Sequence, residues 1–304
     1  MLLQSLHTHS LYDDGQDTLA RMAQNAEAAG LDALGFSGHS PLPFANDWAI
    51  DQSCLADYLR EARSLQADFR GRFSLYCGLE WDSCSPLPEQ KLDYLIGSVH
   101  YFPALPDGTR FTVDGSAQLL AQCAQVQFGG DMAAQADCYY ALVARLAEVP
   151  QVDIVGHFDL ITKFDEPHTR YPIVPPSARA AMERLIRAGK IFEINTGAIS
   201  RGYRQTPYPA EPLLRLLRQM DGKILFTADA HRACDVAFGY AEAVALARRC
   251  GFDEHVRLGQ VFDLLWRGYS IVQISMTLGM SPATVSRSIR EIKKRMSASL
   301  HTDD

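Results

Sequence analysis

Seven short apolar runs, rich in β-branched and aromatic residues and separated by longer amphipathic stretches, leave this 304-residue chain few folds to choose from. The runs fall near 2–7, 32–37 (DALGFS), 73–78 (FSLYCG), 93–99 (DYLIGSV), 152–156 (VDIVG), 190–195 (KIFEIN) and 223–227 (KILFT). Helical periodicity covers 17–29, 51–69, 131–148, 176–188, 209–220 and 235–250. Strand and helix in alternation predict parallel strands joined by crossover helices. Seven repeats favour closure into an α/β barrel over an open sheet. The long connections, 38–50 and 100–114, are rich in Pro, Gly and Asp, and long loops in compact folds tend to carry function.

Composition removes several classes. An apolar share of 47% with 21% charged residues is that of a globular protein, neither disordered nor fibrous. No apolar run approaches the roughly 18 residues of a membrane span. The start lacks a basic region followed by an apolar signal core, so a cytoplasmic protein is expected. Cys54, Cys77, Cys84, Cys123, Cys138, Cys234 and Cys250 are odd in number and lack CxxC spacing, which points to reduced thiols and against a disulfide framework or zinc knuckle. A net charge of -7 gives no global attraction to nucleic acid.

Side chains able to bind metal fall where these strands end. His7, His9 and Asp14 follow the first, His39 the second, Glu80 (GLE) the third and His100 (SVH) the fourth. His157 (GHFD) follows the fifth, and Asp229 and His231 (DAH) the last; only the sixth strand offers none. The carboxyl ends of barrel strands are where such folds build active sites, so these residues are expected to converge. Imidazole mixed with carboxylate suits Zn, Mn or Fe, whereas Ca or Mg sites are nearly all oxygen. Nine candidates are too many for one ion and suit two or three. Three divalent ions against three carboxylates would leave a cationic pocket, which favours an anion such as phosphate.

The order HTH, GFSGH, GLE, DYLIGSVHYF, GHFDL, EINTGAISRG, DAH resembles the PHP (polymerase and histidinol phosphatase) superfamily, and within it the barrel-type histidinol-phosphatases. The resemblance covers residues 3–252. It implies a distorted (β/α)7 TIM-like barrel with a trinuclear Zn, Mn or Fe site held by the same nine residues, Glu80 bridging two ions. It also implies hydrolysis of L-histidinol phosphate to L-histidinol and phosphate in histidine biosynthesis. This chain departs from the pattern at Gly38, where relatives often carry a polar side chain, and at Asp14, where some carry histidine.

The expected chemistry is attack on phosphorus by a metal-bridging hydroxide, with no covalent phosphoenzyme. Asp229 or His231 would protonate the departing alkoxide. Arg201, after the sixth strand, would grip phosphate oxygens, with Lys163 as a second candidate. In the loop SPLPFANDW, Phe44 and Trp48 would either cover the substrate's imidazole ring or anchor the loop. Another small phosphate ester is the nearest alternative substrate.

Beyond the barrel, placed at 1–254, residues 255–304 change character. They read as helices at 256–267, 270–278 and 282–296, with a turn at Gly279-Met280 and Ser281 and Pro282 opening the third. The pattern looks like a helix-turn-helix. Segment 257–304 holds seven basic and four acidic residues, a balance of +3 against -10 for the remainder. Thr284, Ser286, Arg287 and Arg290 lie on the candidate recognition helix, so DNA is one possible partner, with the barrel then a nuclease or regulatory module. A helical appendage or dimer interface is the other reading of this segment.

Overall fold

A computed structural model of the protein describes residues 3–165, 170–253 and 255. Seven parallel strands follow one another around a single sheet in chain order: β1 Gln4–Ser5, β2 Ala33–Phe36, β3 Ser74–Asp82, β4 Tyr94–Ser98, β5 Ile154–Val155, β6 Ile191–Asn195 and β7 Lys223–Thr227. An isolated parallel bridge between Thr8 and Ala230 brings the last strand back to the first, so the sheet is a nearly closed barrel. The helices are α1 Leu19–Ala28, α2 Leu55–Asp68, α3 Ala117–Phe128, α4 Met132–Arg145, α5 Pro176–Arg187, α6 Gly197–Ser200, α7 Glu211–Gln219 and α8 Tyr240–Arg249. Among the described residues no helix is long and apolar enough to cross a membrane.

Local sequence explains the helix boundaries. Thr18 caps α1 by accepting from the Arg21 amide, Ser116 caps α3 through the Leu119 amide, and Asp131 caps α4 through Ala133 and Ala134. Pro176 starts α5, where its missing N–H costs nothing. Each helix turns one stripe inward: α5 buries Ala178, Ala181, Met182 and Leu185, and α7 buries Leu213, Leu214, Leu216 and Leu217. Each such leucine contributes roughly 1.5–3 kcal/mol of transfer free energy.

Inside the barrel, the Tyr94 ring reaches from β4 across to the opposite wall, its hydroxyl 2.6 Å from the Leu6 carbonyl and 3.0 Å from that of Phe36. Gly35 and Gly78 make room for it: a Cβ on Gly35 would lie 2.3 Å from the Tyr94 hydroxyl, and one on Gly78 2.7 Å from the ring.

Several boundaries differ from expectation. β1 is only two residues long, and β3 runs on to Asp82, so Glu80 lies within its strand rather than after it. Helix α3 was not expected. Its apolar residues are spread around the axis, with Leu120, Cys123 and Ala124 buried but Leu119 and Val126 exposed, which blurs the helical period. The helix-turn-helix expectation, with Thr284, Ser286, Arg287 and Arg290, lies outside the described residues.

Candidate metal centre

His7 and His9 share one face because the chain between them is extended, and alternate residues of an extended chain point the same way. That segment is clamped on both sides. Thr8 receives a hydrogen bond from Ser37 N–H (3.1 Å) and gives one to the Gly35 carbonyl (2.8 Å), while His9 N–H donates to Ala230 (2.9 Å). Pairing therefore continues past the ends of β1 and β7 into the turns that carry the histidines. A second isolated bridge, His39 with Glu80, does the same between β2 and β3.

Glu80 is the centre of the cluster. One carboxylate oxygen, Oε2, lies 2.8 Å from His39 Nδ1, 3.1 Å from His7 Nε2 and 3.7 Å from His9 Nε2. The other, Oε1, lies 2.8 Å from His157 Nε2 and 3.5 Å from His100 Nε2. Asp229 Oδ1 is 3.2 Å from His9 Nε2, and Asp14 Oδ1 is 3.2 Å from His231 Nε2. Among the described residues, donor atoms close enough to share an ion form three groups: His7, His9 and Asp229; His39, Glu80 and His100; and His9, Asp14, His39 and His231. His157 belongs to none of these and touches the cluster through Glu80.

The donor set fits metal ions on a separate ground. His7 Nε2, His9 Nε2 and Glu80 Oε2 are buried and make no hydrogen bond. Buried polar atoms of that kind are expensive, and three converging on one space call for a cation.

Three further carboxylates orient the rings from behind. Glu193 Oε2 takes His7 Nδ1 at 2.9 Å, Asp13 Oδ2 takes His9 Nδ1 at 2.6 Å, and Asp82 Oδ2 takes His100 Nδ1 at 3.0 Å. With each Nδ1 occupied, each Nε2 lone pair is turned to the cluster. Asp13 also accepts from the His39 amide at 2.9 Å and fills the space beside Gly38, where a Cβ would come within 3.3 Å of its Oδ2. Sequence reasoning missed all three. The sixth strand, expected to supply no metal-binding side chain, supplies Glu193 behind His7, and the charge balance changes with it. Six carboxylates would match three divalent ions, so a net positive charge comes from Arg201 rather than from the ions alone.

The field is strong. Burial opposes charge on His9, yet Asp13, Asp229 and Asp14 outweigh it and lift the ring from 6.5 to about 10. Burial likewise opposes the Glu80 carboxylate, but His7, His39, His100 and His157 hold it well below the usual range. In the metal-free protein His7, His9 and His100 hold a proton more tightly than a free imidazole, and an ion must displace it. Metal loading near neutral pH is therefore expected to release protons, measurable in weakly buffered solution, and apparent affinity to rise with pH. His9 has a folded pKa above its ordinary value, so its contribution to metal-free stability is complete below 6.5 and is lost as pH climbs through about 10. The melting temperature of chelator-treated protein should fall across that window; a flat profile would contradict the assignment.

Arg201 closes one side. Its Nη2 lies 3.1 Å from Asp229 Oδ2, its Nη1 reaches the ring of His231, and its side chain is partly open to solvent. Asp229 adopts a left-handed backbone (φ 46°), a strained conformation that asparagine and aspartate tolerate best. Gly197 makes it possible, since a Cβ there would sit 2.7 Å from that of Asp229. Trp48 meets His39 edge-on at 4.5 Å and His100 at 5.4 Å, its Nε1 donating to the Tyr101 hydroxyl. Phe44 stands further out, against Tyr101 and beneath Arg110. Lys163 is pinned by Asp114, 3.0 Å from its carbonyl and 3.1 Å from its carboxylate.

Known proteins resemble this chain in sequence and fold. A sequence model of the PHP domain matches residues 5–197. A Deinococcus radiodurans protein named "Probable histidinol-phosphatase" is 30% identical over 259 residues, spanning 81% of this chain and 92% of the relative. The histidinol-phosphatase of Bacillus subtilis is 25% identical over 268 residues, spanning 81% and 97%. The fold matches that of histidinol phosphate phosphatase from Lactococcus lactis, crystallised with Zn, L-histidinol and phosphate: the TM-score is 0.64 at 21% identity, over 84% of this chain and 96% of the other. By the span of the domain match and by its likeness to these relatives, the chain belongs to the PHP domain family.

Proposed function

We propose that this protein is a divalent-metal-dependent phosphomonoester hydrolase that converts L-histidinol phosphate and water to L-histidinol and phosphate, a step of histidine biosynthesis. The observation that carries the reading is the convergence of six imidazoles on Glu80 and Asp229, with a guanidinium at the rim. Relatives named as histidinol-phosphatases along most of the chain, one of them crystallised with L-histidinol and phosphate, support the substrate.

Three ions, of Zn, Mn or Fe, would be held by His7, His9, Asp14, His39, Glu80, His100, His157, Asp229 and His231. When bound, such ions supply a nucleophilic water at neutral pH and polarise phosphoryl oxygens. The chain's own groups do the rest. Arg201 holds Asp229 and offers its remaining N–H donors to phosphate oxygens, a bidentate match for an oxyanion. Lys163, already neutralised by Asp114, plays the lesser part in anion binding. Asp229 or His231 would take the proton given up by the attacking water and pass it to the departing alkoxide. Trp48, with Phe44 behind it, gives the substrate's imidazole an aromatic wall beside His39 and His100.

In this reading residues 1–254 carry the chemistry and 255–304 form a separate C-terminal domain, whose binding to DNA or to a second chain is a distinct question. Gel retardation of duplex DNA at low and moderate salt would answer it. Seven free cysteines support a cytoplasmic setting. The test of function is phosphate release from L-histidinol phosphate beside a panel of other phosphomonoesters and one phosphodiester. Selective turnover of histidinol phosphate is expected; preference for another monoester would replace the substrate, and preference for the diester would replace the reaction.

A further inference from the structure

Glu193 lies on β6, the strand from which no metal ligand is expected, and is fully buried. Its Oε2 is 2.9 Å from His7 Nδ1 and 2.9 Å from the Thr227 hydroxyl; its Oε1 accepts from the His157 backbone N–H at 2.6 Å and from Asn195 Nδ2 at 2.8 Å. The partners on Oε1 can only donate. A backbone N–H has no alternative, and the Asn195 amide is fixed because its own oxygen accepts from Gly197 N–H at 2.8 Å. An acceptor-only carboxylate satisfies this whole set, provided that His7 carries its proton on Nδ1. His7 Nε2 is then the ring atom left to an ion, once the ion displaces any proton held there. It faces Glu80 Oε2 at 3.1 Å and Asp229 Oδ1 at 3.7 Å and makes no hydrogen bond.

We propose that Glu193 is a positioning residue of the metal centre, one that locks His7 in the Nδ1–H tautomer and fixes the turn that carries His157. The inference rests on the reading of His7 as a metal ligand. It makes Glu193→Gln informative, because the swap is nearly isosteric yet reverses the two hydrogen bonds at Oε2. The amide oxygen must take the Oε1 place, since an NH2 there would oppose the His157 N–H. The amide NH2 is then turned on Thr227 and His7. Thr227 can rotate its hydroxyl to accept. His7 can accept only through Nδ1, which moves its proton to Nε2, the atom that must be bare to bind an ion.

The experiment is Zn binding by competition with a chromophoric chelator, for the full-length parent, Glu193→Gln and His7→Ala, each checked for folding by circular dichroism. Glu193→Gln is expected to weaken at least one Zn site by about 10–100-fold, the usual cost of losing an outer carboxylate, and His7→Ala by at least as much. Parent-like Zn binding by Glu193→Gln while His7→Ala loses Zn would overturn the positioning role alone. Parent-like binding by both would overturn the assignment of His7 and the inference with it. Should Glu193→Gln fail to fold, the Zn-loaded parent labelled with 15N-histidine decides. A His7 ring coordinated through Nε2 with its proton on Nδ1 supports the proposal, and Zn on Nδ1 or a proton on Nε2 overturns it.

Discussion

The Glu80→Gln protein is expected to hydrolyse L-histidinol phosphate at least about 1,000-fold more slowly than the parent, because divalent ions would supply several kcal/mol of transition-state stabilisation and this side chain lies amid the residues that would hold them. Glu80 is nearly sealed from solvent, and its oxygens stand within 4 Å of five imidazoles, those of His7, His9, His39, His100 and His157. Glutamine keeps the volume but removes the negative charge and one acceptor oxygen. The group of His39, Glu80 and His100 would lose its carboxylate, and His7 and His157 would lose their contact with it. Activity should therefore fall together with metal content, measured as kcat/KM and as bound metal per chain on the same preparation. A variant that kept its full metal complement and lost less than tenfold in activity would show that Glu80 is not the hub of the centre.

The second large effect is expected at Arg201. Arg201→Lys should lose about 100- to 1,000-fold in kcat/KM, the range for removing one preorganised donor from developing negative charge. Lysine keeps the charge but not the fork. In the parent one arm of the guanidinium bonds Asp229 while the other reaches His231, and a single ammonium cannot hold both and still face a phosphate. Asp229 has a further stake in the pair. Burial works against its charge, and Arg201, then His7, restores it and keeps the carboxylate well below its usual range. The left-handed backbone at Asp229 also depends on its partners to hold it. Steady-state kinetics on L-histidinol phosphate would check the prediction, and a Lys variant within threefold of the parent would remove Arg201 from the anion-binding role.

The barrel was legible because hydrophobic periodicity and chain order are local signals, and parallel strands then place all their carboxyl ends on one face. The same logic brought His7, His39, Glu80, His157 and Asp229 to mind as neighbours although they are remote in sequence. What it could not reach was the layer behind them. In LYDDG, sequence alone cannot say which aspartate turns inward to His9 Nδ1 and which faces His231; the turn settles that, giving Asp13 the first task and Asp14 the second. Asp82 follows Glu80 by two residues, so it falls on the same side of β3, a signal that period-two reasoning had available. Glu193 lies in EIN, but a carboxylate that supports a histidine has no spacing relation to it, so the sequence carries no signal for the pair. The missed carboxylates also misled the charge argument, which counted only the expected ligands.

The seam of the barrel has a mechanical consequence. The first and last strands meet through Thr8 and Ala230, flanked by His7 and His9 on one edge and Asp229 and His231 on the other. An ion shared by His7, His9 and Asp229 would act as a buckle across that joint, fastening opposite ends of the barrel chain to each other. Covalent cross-links over loops this long restrict the unfolded chain by on the order of 5 kcal/mol, and a coordination bond does the same while remaining removable. The scaffold would then owe part of its endurance to the ions, and opening along this edge would be the first event when a chelator unfastens it.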